Sequence, residues 1–327
     1  MRYGLPYKGS KNQIAEWVVD NLPKAETFVD LFCGGCAVTH RALLTGKYKQ
    51  FVINDIDGRL PKFFLDCCYG KYTIENHKEW ISRDDFFKLK DKDAYIALTW
   101  SFGNNGIDYI YGRDIEEHKK ALHYVVFFKD ISLFKELGIN VPDFKDVDDV
   151  PERYRLYKRF FESVMRRNDL ETLERLVNYE RLESLYRLQS LQSLQSLQSL
   201  QSLQSLQNDY IDAMEFVKRN YNDFLIYCDP PYQSTNCGKY SGFDSDRFYE
   251  WSKDQENIYI SEYKMPEDDF VEIANIEKTV LSAMNSNSIK ATEKIFTNKK
   301  TYEKFDKDKK KMIEMNLSKQ MTLFDFI

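Results

Sequence analysis

The chain has 327 residues, of which 43% are hydrophobic, 15% aromatic and 30% charged, and its formal net charge is −5. This composition predicts a soluble globular protein with one large or two smaller domains, and an acidic chain needs a local basic face to bind nucleic acid. We expect a cytoplasmic protein, since the sequence lacks an apolar run of membrane-spanning length and a signal-peptide pattern. Cys33 and Cys36 lack a second Cys or His pair at zinc-finger spacing, so no metal site is expected.

The first predicted element is a glycine-bearing loop that opens a helix. Ser10 is placed to cap this helix, which ends near Pro23. Backbone N–H groups at the helix start, together with Lys8 and Lys11, favour an anion such as a carboxylate. The alternative is that both lysines are only solvated near the terminus.

Two short apolar strands follow, with a glycine turn between them. The first begins near Thr27 and leads into Gly34-Gly35, and the second, at residues 50–53, leads into Asp55 and Asp57. Glycines allow a ligand to approach the backbone at the carboxyl end of a strand, and an acid after the second strand is placed to accept ribose hydroxyls. The spacing is not the G-x-G-x-x-G pattern that binds NAD. It predicts a nucleoside cofactor site, with helix capping as the alternative role for Asp55.

Residues 73–208 then interrupt the α/β pattern with segments that predict packed helices. Within them, residues 100–109 form a polar, glycine-bearing loop that is rich in amides and aromatics. Amide side chains, which Asn104 and Asn105 supply here, can pair bidentately with adenine, and aromatic rings can wedge into a base stack. The loop is therefore a candidate for reading DNA, with an ordinary surface loop as the alternative.

A positive stripe follows in the same insertion. Arg155, Lys158 and Arg159 share one face of a predicted helix, and Arg166 continues along it, against one acid, Glu162. In an acidic protein this stripe is the best candidate for contacts with DNA phosphates. The alternative is a solvated helix face.

Residues 173–206 form a tandem repeat in which an apolar residue recurs at every third position. From Leu188 the unit is Leu-Gln-Ser. In an α-helix a period of three drifts by about 60° per unit, whereas a 3₁₀-helix would align the leucines but is uncommon in long runs. We predict an α-helix up to about Arg187 and a low-complexity insert after it, with a short leucine solenoid as the alternative.

The most specific stretch is Asp229-Pro230-Pro231-Tyr232, which follows an apolar strand at residues 224–227. Neither proline donates to a sheet ladder, so the strand must end in a stiff loop, at the edge where open α/β sheets bind ligands. The Asp229 carboxylate and the Pro230 carbonyl accept N–H groups, and Tyr232 offers a flat ring. This set suits a planar ring with an exocyclic amine, with a proline-capped turn as the alternative.

Near its last residue the chain carries Gln320, Leu323 and Phe324, after a linker rich in Lys and Asp. A glutamine, a spacer and Leu-Phe resemble the short peptides that dock in the apolar pocket of the bacterial sliding clamp. The alternative is a terminal strand or helix that packs Leu323 and Phe326 against the protein itself.

Three of these pieces, in this order, resemble the Dam-like (D12 class) DNA adenine-N6 methyltransferases. They are Tyr7-Lys8-Gly9-Ser10-Lys11, Asp30-Leu31-Phe32-Cys33-Gly34-Gly35 and Asp229-Pro230-Pro231-Tyr232. The likeness spans most of the chain and includes the insertion, where that family carries its target-recognition domain. The sequence departs from the family at Tyr7, where tryptophan is frequent, and at Cys36, where the glycine run often continues.

The resemblance implies an α/β fold, with a Rossmann-like methyltransferase sheet, helices on both faces and an inserted, mostly helical target-recognition domain. It divides the chain into a catalytic domain (1–72 and 208–300), a recognition insertion (73–187), the Leu-Gln-Ser repeat (188–207) and a charged tail (301–327). The implied activity is transfer of a methyl group from S-adenosylmethionine to N6 of a flipped adenine in double-stranded DNA. GATC is the family's frequent target.

The resemblance also implies roles for single residues. Asp229 and Pro230 would polarise the amine, and Tyr232 would stack on the flipped base. The implied cofactor-binding residues are Tyr7, Lys11, Asp30, Phe32, Gly34, Gly35, Asp55 and Asp209. We expect double-stranded DNA as the partner and a monomer or weak dimer, and contact with the sliding clamp through Gln320, Leu323 and Phe324 is a further hypothesis.

Two other functions are weighed against this one. Cytosine-N4 methylation uses a similar loop, though more often with serine at the position of Asp229. A non-catalytic binding protein built on the leucine repeat would need a decayed catalytic half, whereas every catalytic piece is present and in order. A cytosine-C5 enzyme needs a nucleophilic cysteine after proline, and the chain has no Pro-Cys pair.

Overall fold

The computed structural model describes residues 3–165, 182–209, 211–216, 223–232, 242–281 and 288–304. The chain divides into two compact units, which are named here by their main elements. The helical unit comprises Met1–Asn12 and Arg59–Ser199, and the sheet unit comprises Gln13–Gly58 and Leu200–Ile327. None of the helices in the described part is long and apolar enough to cross a membrane.

In its described residues, the sheet unit holds seven strands. They are β1 (Thr27–Asp30), β2 (Gln50–Asn54), β3 (Leu206–Asp209), β4 (Phe224–Cys228), β5 (Ile258–Glu262), β6 (Phe270–Leu281) and β7 (Ser288–Asn298). The strands form one sheet in the order β3-β2-β1-β4-β5-β7-β6. The five strands from β3 to β5 are parallel, and β7 lies antiparallel between β5 and β6. The strand order reverses between β1 and β4, and open α/β sheets bind ligands at such a switch point.

The central strands of this sheet are buried along their whole length. Every residue of β1, β4 and β5 is buried, as expected for parallel strands that are covered on both faces. The apolar core around them includes Val29, Val52, Ile226, Ile258 and Phe248. The α-helices in the described part of this unit include Ala15–Asn21, Ala37–Thr45, Gln201–Gln204 and Ser245–Lys253. The predicted Rossmann-like α/β sheet is confirmed.

One helix begins later than the sequence indicates. Ser10 was expected to cap it, but a 3₁₀ turn, Lys11–Gln13, comes first and the α-helix begins at Ala15. The Ser10 hydroxyl instead accepts the N–H of Asn12 at 3.3 Å. Ser10 therefore caps the short turn and not the helix.

The helical unit packs α-helices around aromatic side chains, including the fully buried Trp100, Phe86 and Phe134. Ser82 and Asp93 cap two of these helices by accepting backbone N–H groups. The α-helices in the described part of this unit are Arg59–Cys68, Arg83–Leu89, Ala94–Thr99, Glu116–Phe128, Ser132–Glu136, Val150–Met165 and Glu183–Ser193. The unit extends past the predicted insertion on both sides, to Arg59 and Ser199.

The Leu-Gln-Ser repeat is a packed element. The α-helix Glu183–Ser193 passes directly into a 3₁₀-helix, Leu194–Ser199. The change of helix type removes the drift of about 60° per unit and keeps the leucines on one side. Each of the leucines 185, 188, 191, 194 and 197 is at most 1% exposed, while the glutamines of the 3₁₀ stretch face solvent. The part of the repeat up to Ser199 thus packs in the core of the helical unit.

The serines of the repeat satisfy their hydroxyls locally. Ser193 donates to the carbonyl of Ser190 at 2.7 Å, and Ser196 donates to that of Ser193 at 2.8 Å. These bonds run three residues back along the chain and leave the leucine side purely apolar. The last leucine of the repeat, Leu206, begins β3 and pairs with Phe51 of β2.

Candidate active site

Three acids that the sequence predicts as site residues lie at the carboxyl ends of β1, β2 and β4. Asp30, the last residue of β1, lies opposite Ile53 of β2 and Tyr227 of β4. Asp55 and Asp229 each follow those partners by two residues. Both carboxylates act electrostatically on Asp30, so three acids of separate strands share one edge of the sheet.

The glycine turn after β1 is tied to the end of β2. Gly34 has a φ of 46°, in the left-handed region that favours glycine. Its N–H donates to Asp55 Oδ2 at 2.9 Å, and Asp55 Oδ1 accepts the N–H of Asp57 at 2.9 Å. The Cys33 N–H donates to the Asn54 carbonyl at 2.9 Å. Asp55 therefore fixes the shape of the turn in which Gly34 and Gly35 lie.

Asp30 is a buried acid with an unusual proton affinity. The Thr39 hydroxyl donates to its Oδ2 at 2.6 Å, and in the described residues no hydrogen bond of ordinary geometry reaches Oδ1. Burial raises the pKa of Asp30 to about 7; the charges of Asp229 and Asp55 add to this rise, while the Thr39 hydroxyl and the Phe32 backbone offset part of it. At neutral pH, Asp30 is therefore poised between its two protonation states.

The loop after β4 is stiff and mostly buried. Pro230 is buried, Asp229 is half-buried and Tyr232 is only 8% exposed. The Tyr232 hydroxyl donates to Glu293 Oε2 at 2.7 Å, and its ring meets that of Tyr263 edge to face, with 4.6 Å between centroids. Burial, followed by the charges of Asp229 and Glu293, raises the pKa of Tyr232 well above its usual value. Tyr232 is thus a neutral phenol with a fixed ring.

Two further predicted cofactor residues lie on the same unit. Phe32 is half-buried and packs edge to face on Phe243 and Phe248, at centroid distances of 5.7 and 5.5 Å. Asp209 ends β3 and lies opposite Asn54 of β2. Both residues therefore lie at the carboxyl-end edge of the sheet, Phe32 after β1 and Asp209 at the end of β3.

Ile56 was missed by the sequence reasoning. It lies between Asp55 and Asp57, and 63% of its surface is exposed. An exposed large apolar residue next to an acid offers a flat contact for a purine ring beside an acceptor for ribose hydroxyls. The signal in the sequence is an isoleucine flanked by two aspartates directly after a strand.

The model of the family described as D12 class N6 adenine-specific DNA methyltransferase matches residues 7–304. The chain belongs to this family. The match confirms the predicted resemblance and the predicted methylation of adenine N6 in DNA, and it includes all three motifs. A comparison with curated proteins found no match.

The methyltransferase carries Tyr7 and Lys11 in its helical unit, where both are half-buried. The Tyr7 carbonyl accepts the N–H of Ser10 at 3.2 Å, which closes the turn at Gly9. The Lys8 N–H donates to the Asn104 carbonyl at 3.4 Å. A role for Tyr7 and Lys11 in cofactor binding stays a prediction.

The candidate recognition loop uses its amides internally. Asn104 Nδ2 donates to the Leu98 carbonyl at 2.8 Å, and Asn105 Oδ1 accepts the N–H groups of Ile107 and Asp108 at 2.8 and 3.1 Å. The large side chains exposed on the loop are apolar, since Phe102 is 67% exposed and Ile107 is also exposed, with the acid Asp108 exposed beside them. The loop therefore offers an aromatic wedge more readily than a pair of reading amides.

Arg187 anchors the same loop. Its Nη1 donates to the carbonyls of Leu98, Thr99 and Ser101, with the bond to Ser101 at 2.8 Å. The carbonyls of Leu98 and Thr99 belong to the last turn of the helix Ala94–Thr99, where they have no partner within the helix, and Ser101 follows that helix by two residues. The arginine at the start of the leucine repeat thus caps the helix from which the loop emerges.

The basic stripe is partly neutralised by its own helix. Arg155 pairs with Glu152, Lys158 lies 3.8 Å from Glu162, and Arg159 is exposed. Arg166 lies outside the described residues, as do Gln320, Leu323 and Phe324 of the predicted clamp peptide. Phosphate and clamp contacts stay predictions.

Cys33 and Cys36 are buried, and burial raises the pKa of both thiols. Neutral thiols are poor metal ligands. In the described residues, no group of His, Cys, Asp and Glu side chains is arranged to hold a metal ion.

Proposed function

We propose that this protein is a site-specific enzyme that transfers a methyl group from S-adenosylmethionine to N6 of an adenine flipped out of double-stranded DNA. One observation carries the proposal. The Gly34 turn, Asp55 and the Asp229-Pro230-Pro231-Tyr232 loop lie at the carboxyl ends of neighbouring strands.

The edge formed after β1 and β2 suits a cationic nucleoside cofactor. Asp55 is placed at the end of β2 where ribose hydroxyls are accepted, and the exposed Ile56 offers an apolar contact for adenine. Asp55, together with Asp30 when it is ionised, makes the edge negative, which favours a sulfonium and an ammonium group. When bound, S-adenosylmethionine supplies a methyl group activated by a positively charged sulfur. Phe32, Gly35 and Asp209 complete the proposed contacts from this unit.

Asp229 and Pro230 act on the adenine amine. The lone pair of N6 is delocalised into the ring, so the amine is a weak nucleophile. The Asp229 carboxylate and the Pro230 carbonyl accept its two N–H groups and stabilise the positive charge that develops on nitrogen. Because the two prolines fix the loop before substrate binds, this stabilisation needs no rearrangement and is worth about 3–4 kcal/mol.

The DNA contacts are proposed for the helical unit. Flipping a base costs a few kcal/mol, and Phe102 on the anchored loop is placed to wedge into the stack, with Ile107 beside it. Arg155, Lys158, Arg159 and Arg166 are proposed to contact phosphates. GATC is the first target sequence to test.

The proposal is tested by mapping methylated bases in DNA from a host that lacks adenine methylation, after expression of the protein. We expect N6-methyladenine at one short recognition sequence and none with Asp229→Ala. Asp223→Ala is a matched control, since Asp223 is an exposed aspartate at the other end of β4. N4-methylcytosine, or unmodified DNA from cells that contain the folded protein, would overturn the proposal.

A further inference from the structure

Tyr232 of the catalytic loop is hydrogen-bonded to β7, a strand that carries none of the proposed catalytic or cofactor-binding residues. Glu293 lies on β7, opposite Ile276 of β6, and is 1% exposed. Its Oε2 accepts the hydroxyl proton of Tyr232 at 2.7 Å, in a buried bond between residues far apart in sequence. Burying a carboxylate costs folding free energy unless the carboxylate is hydrogen-bonded. The position of Glu293 therefore suggests a role beyond packing.

The hydroxyl bond completes the restraint on the Tyr232 ring. Pro230 and Pro231 restrict the backbone before it, and the ring of Tyr263, just after β5, meets it at an angle of 79°. A tyrosine ring has two side-chain torsions, and a contact at its edge together with an anchor at its hydroxyl fixes both. The direction of the ring plane is therefore set before any base arrives.

The same bond decides which part of Tyr232 is offered to the substrate. A phenol has one proton to donate, and here that proton goes to Glu293. Burial and the charges of Asp229 and Glu293 disfavour the ionised phenolate. The Tyr232 hydroxyl therefore donates to Glu293 on β7, and we infer that Tyr232 contacts the base with its ring face.

We propose that Glu293 is a positioning residue for methyl transfer, which holds the Tyr232 ring in the plane where it stacks on the flipped adenine beside Asp229. This inference rests on the proposed function of the Asp229–Tyr232 loop. Glu293 touches neither substrate nor cofactor in this role, and it acts on methyl transfer through its hydrogen bond to Tyr232. Without the anchor, the ring turns and the amine is presented at the wrong angle, although the base still leaves the duplex.

The test is a double-mutant cycle between Tyr232→Phe and Glu293→Leu, with Glu293→Gln as the conservative variant. Glu293→Leu and Tyr232→Phe should each lower kcat roughly tenfold or more, because small misplacements of reacting groups have effects of this size. The kcat of the double variant should be no lower than that of the less active single variant. Glu293→Gln keeps an acceptor oxygen at the same reach and should recover most of the loss, and KM for the cofactor should stay unchanged throughout.

A spectroscopic readout separates positioning from general support of the fold. With 2-aminopurine in place of the target adenine, base flipping raises fluorescence and stacking on Tyr232 quenches it. Glu293→Leu should flip the base but lose the quenching. Glu272→Leu is the matched control, since Glu272 lies on the adjacent strand β6 and pairs with Lys294. If Glu293→Leu does not fold, Tyr232→Phe removes the same bond without a change in β7.

The outcomes distinguish this inference from the proposed function. Full methylation by both Asp229→Ala and Tyr232→Ala would overturn the role of the loop itself. Loss of methylation in those variants, with wild-type kcat and quenching in Glu293→Leu, would overturn only the role of Glu293. Multiplicative losses in the double variant would also overturn it, because the two residues would then act separately.

Discussion

The two units of the protein bury charges of opposite sign. Among the described residues of the sheet unit, the charged side chains that are less than a tenth exposed are acids, namely Asp30, Asp55, Glu262 and Glu293. In the described part of the helical unit they are cations, Lys119 and Arg153. The buried His40 and His123 add no charge at neutral pH, because burial lowers the pKa of each to about 4.

The cations of the helical unit are compensated within that unit. Arg153 donates to the Val126 carbonyl at 2.7 Å and also to the carbonyl of Val147. Lys119 lies 3.5 Å from Glu183 and 5.8 Å from the centre of the Tyr111 ring. These contacts hold helices and loops together, so burial of charge in this unit serves structure.

The acids of the sheet unit gather where parallel strands end. Burial favours protonation of Asp30, and electrostatic repulsion by Asp229 and Asp55 adds to this preference. A cluster of like charges lowers stability unless a ligand of opposite charge compensates it. Burial of charge in this unit therefore indicates a ligand-binding or catalytic role. Removing a charge should alter activity in the sheet unit and stability in the helical unit.

The largest expected effect comes from Asp229 in the sheet unit. Asp229→Ala removes the acceptor for the amine and should lower single-turnover methylation roughly 10²- to 10³-fold. Asp229→Asn keeps an acceptor oxygen without the charge and should fall between the wild type and alanine. Affinity for DNA should change little in either variant, and unimpaired turnover by Asp229→Ala would contradict the assignment.

In the helical unit the largest effect should come from a buried leucine and not from a charge. Leu197→Ala removes a fully buried side chain from the 3₁₀ stretch and should lower the free energy of unfolding by about 2–5 kcal/mol. Gln198→Ala, one residue further on the exposed side, should change it by less than about 0.5 kcal/mol. Denaturant titration measures both, and equal effects would show that the repeat does not pack by its leucines.

The repeat shows where sequence reasoning stops. The strands β1, β2 and β4, the Gly34-Gly35 turn and the Asp229–Tyr232 loop were predictable because local apolar runs, glycines and prolines determine them, whereas β3 begins inside the repeat and was not predicted. The passage from α-helix to 3₁₀-helix after Ser193 was not predictable, because long 3₁₀ runs are intrinsically disfavoured and only burial of a leucine at every third position compensates for this. Long-range partners such as Glu293 for Tyr232 were equally invisible, since they depend on how β7 pairs with β5.

A smaller effect is expected at Arg187, the anchor of the recognition loop. Arg187→Gln removes a charged donor from three carbonyls and should weaken DNA binding roughly tenfold, in line with about 1.5–3 kcal/mol for hydrogen bonds of charged groups. Cofactor affinity should not change. Lys145→Gln is the control, since it removes one charge from an exposed pair with Asp143. If Phe102→Ala weakens DNA binding and Arg187→Gln does not, the loop has another anchor.

At Asp30 the expected effect is a gradual dependence of the free energy of unfolding on pH. The pKa of Asp30 is raised from its ordinary 3.8 to about 7 in the fold, so the protonated form stabilises the native state. This contribution is complete below pH 4 and is lost as pH rises through 7, with a slope of at most about 1.4 kcal/mol per pH unit. Asp30→Asn cannot ionise and should remove this slope from the free energy of unfolding.

Asp30→Asn also tests whether the acids of the sheet unit bind a cationic ligand, because binding would change the pKa of Asp30. A positive charge bound beside Asp30 lowers its pKa, so binding of S-adenosylmethionine near pH 7 should release a fraction of a proton. Calorimetry in buffers of different ionisation enthalpy measures this release, and Asp30→Asn should abolish it. Equal proton release by both proteins would place the titrating group elsewhere, whereas its loss in Asp30→Asn would tie the buried acid directly to the cofactor.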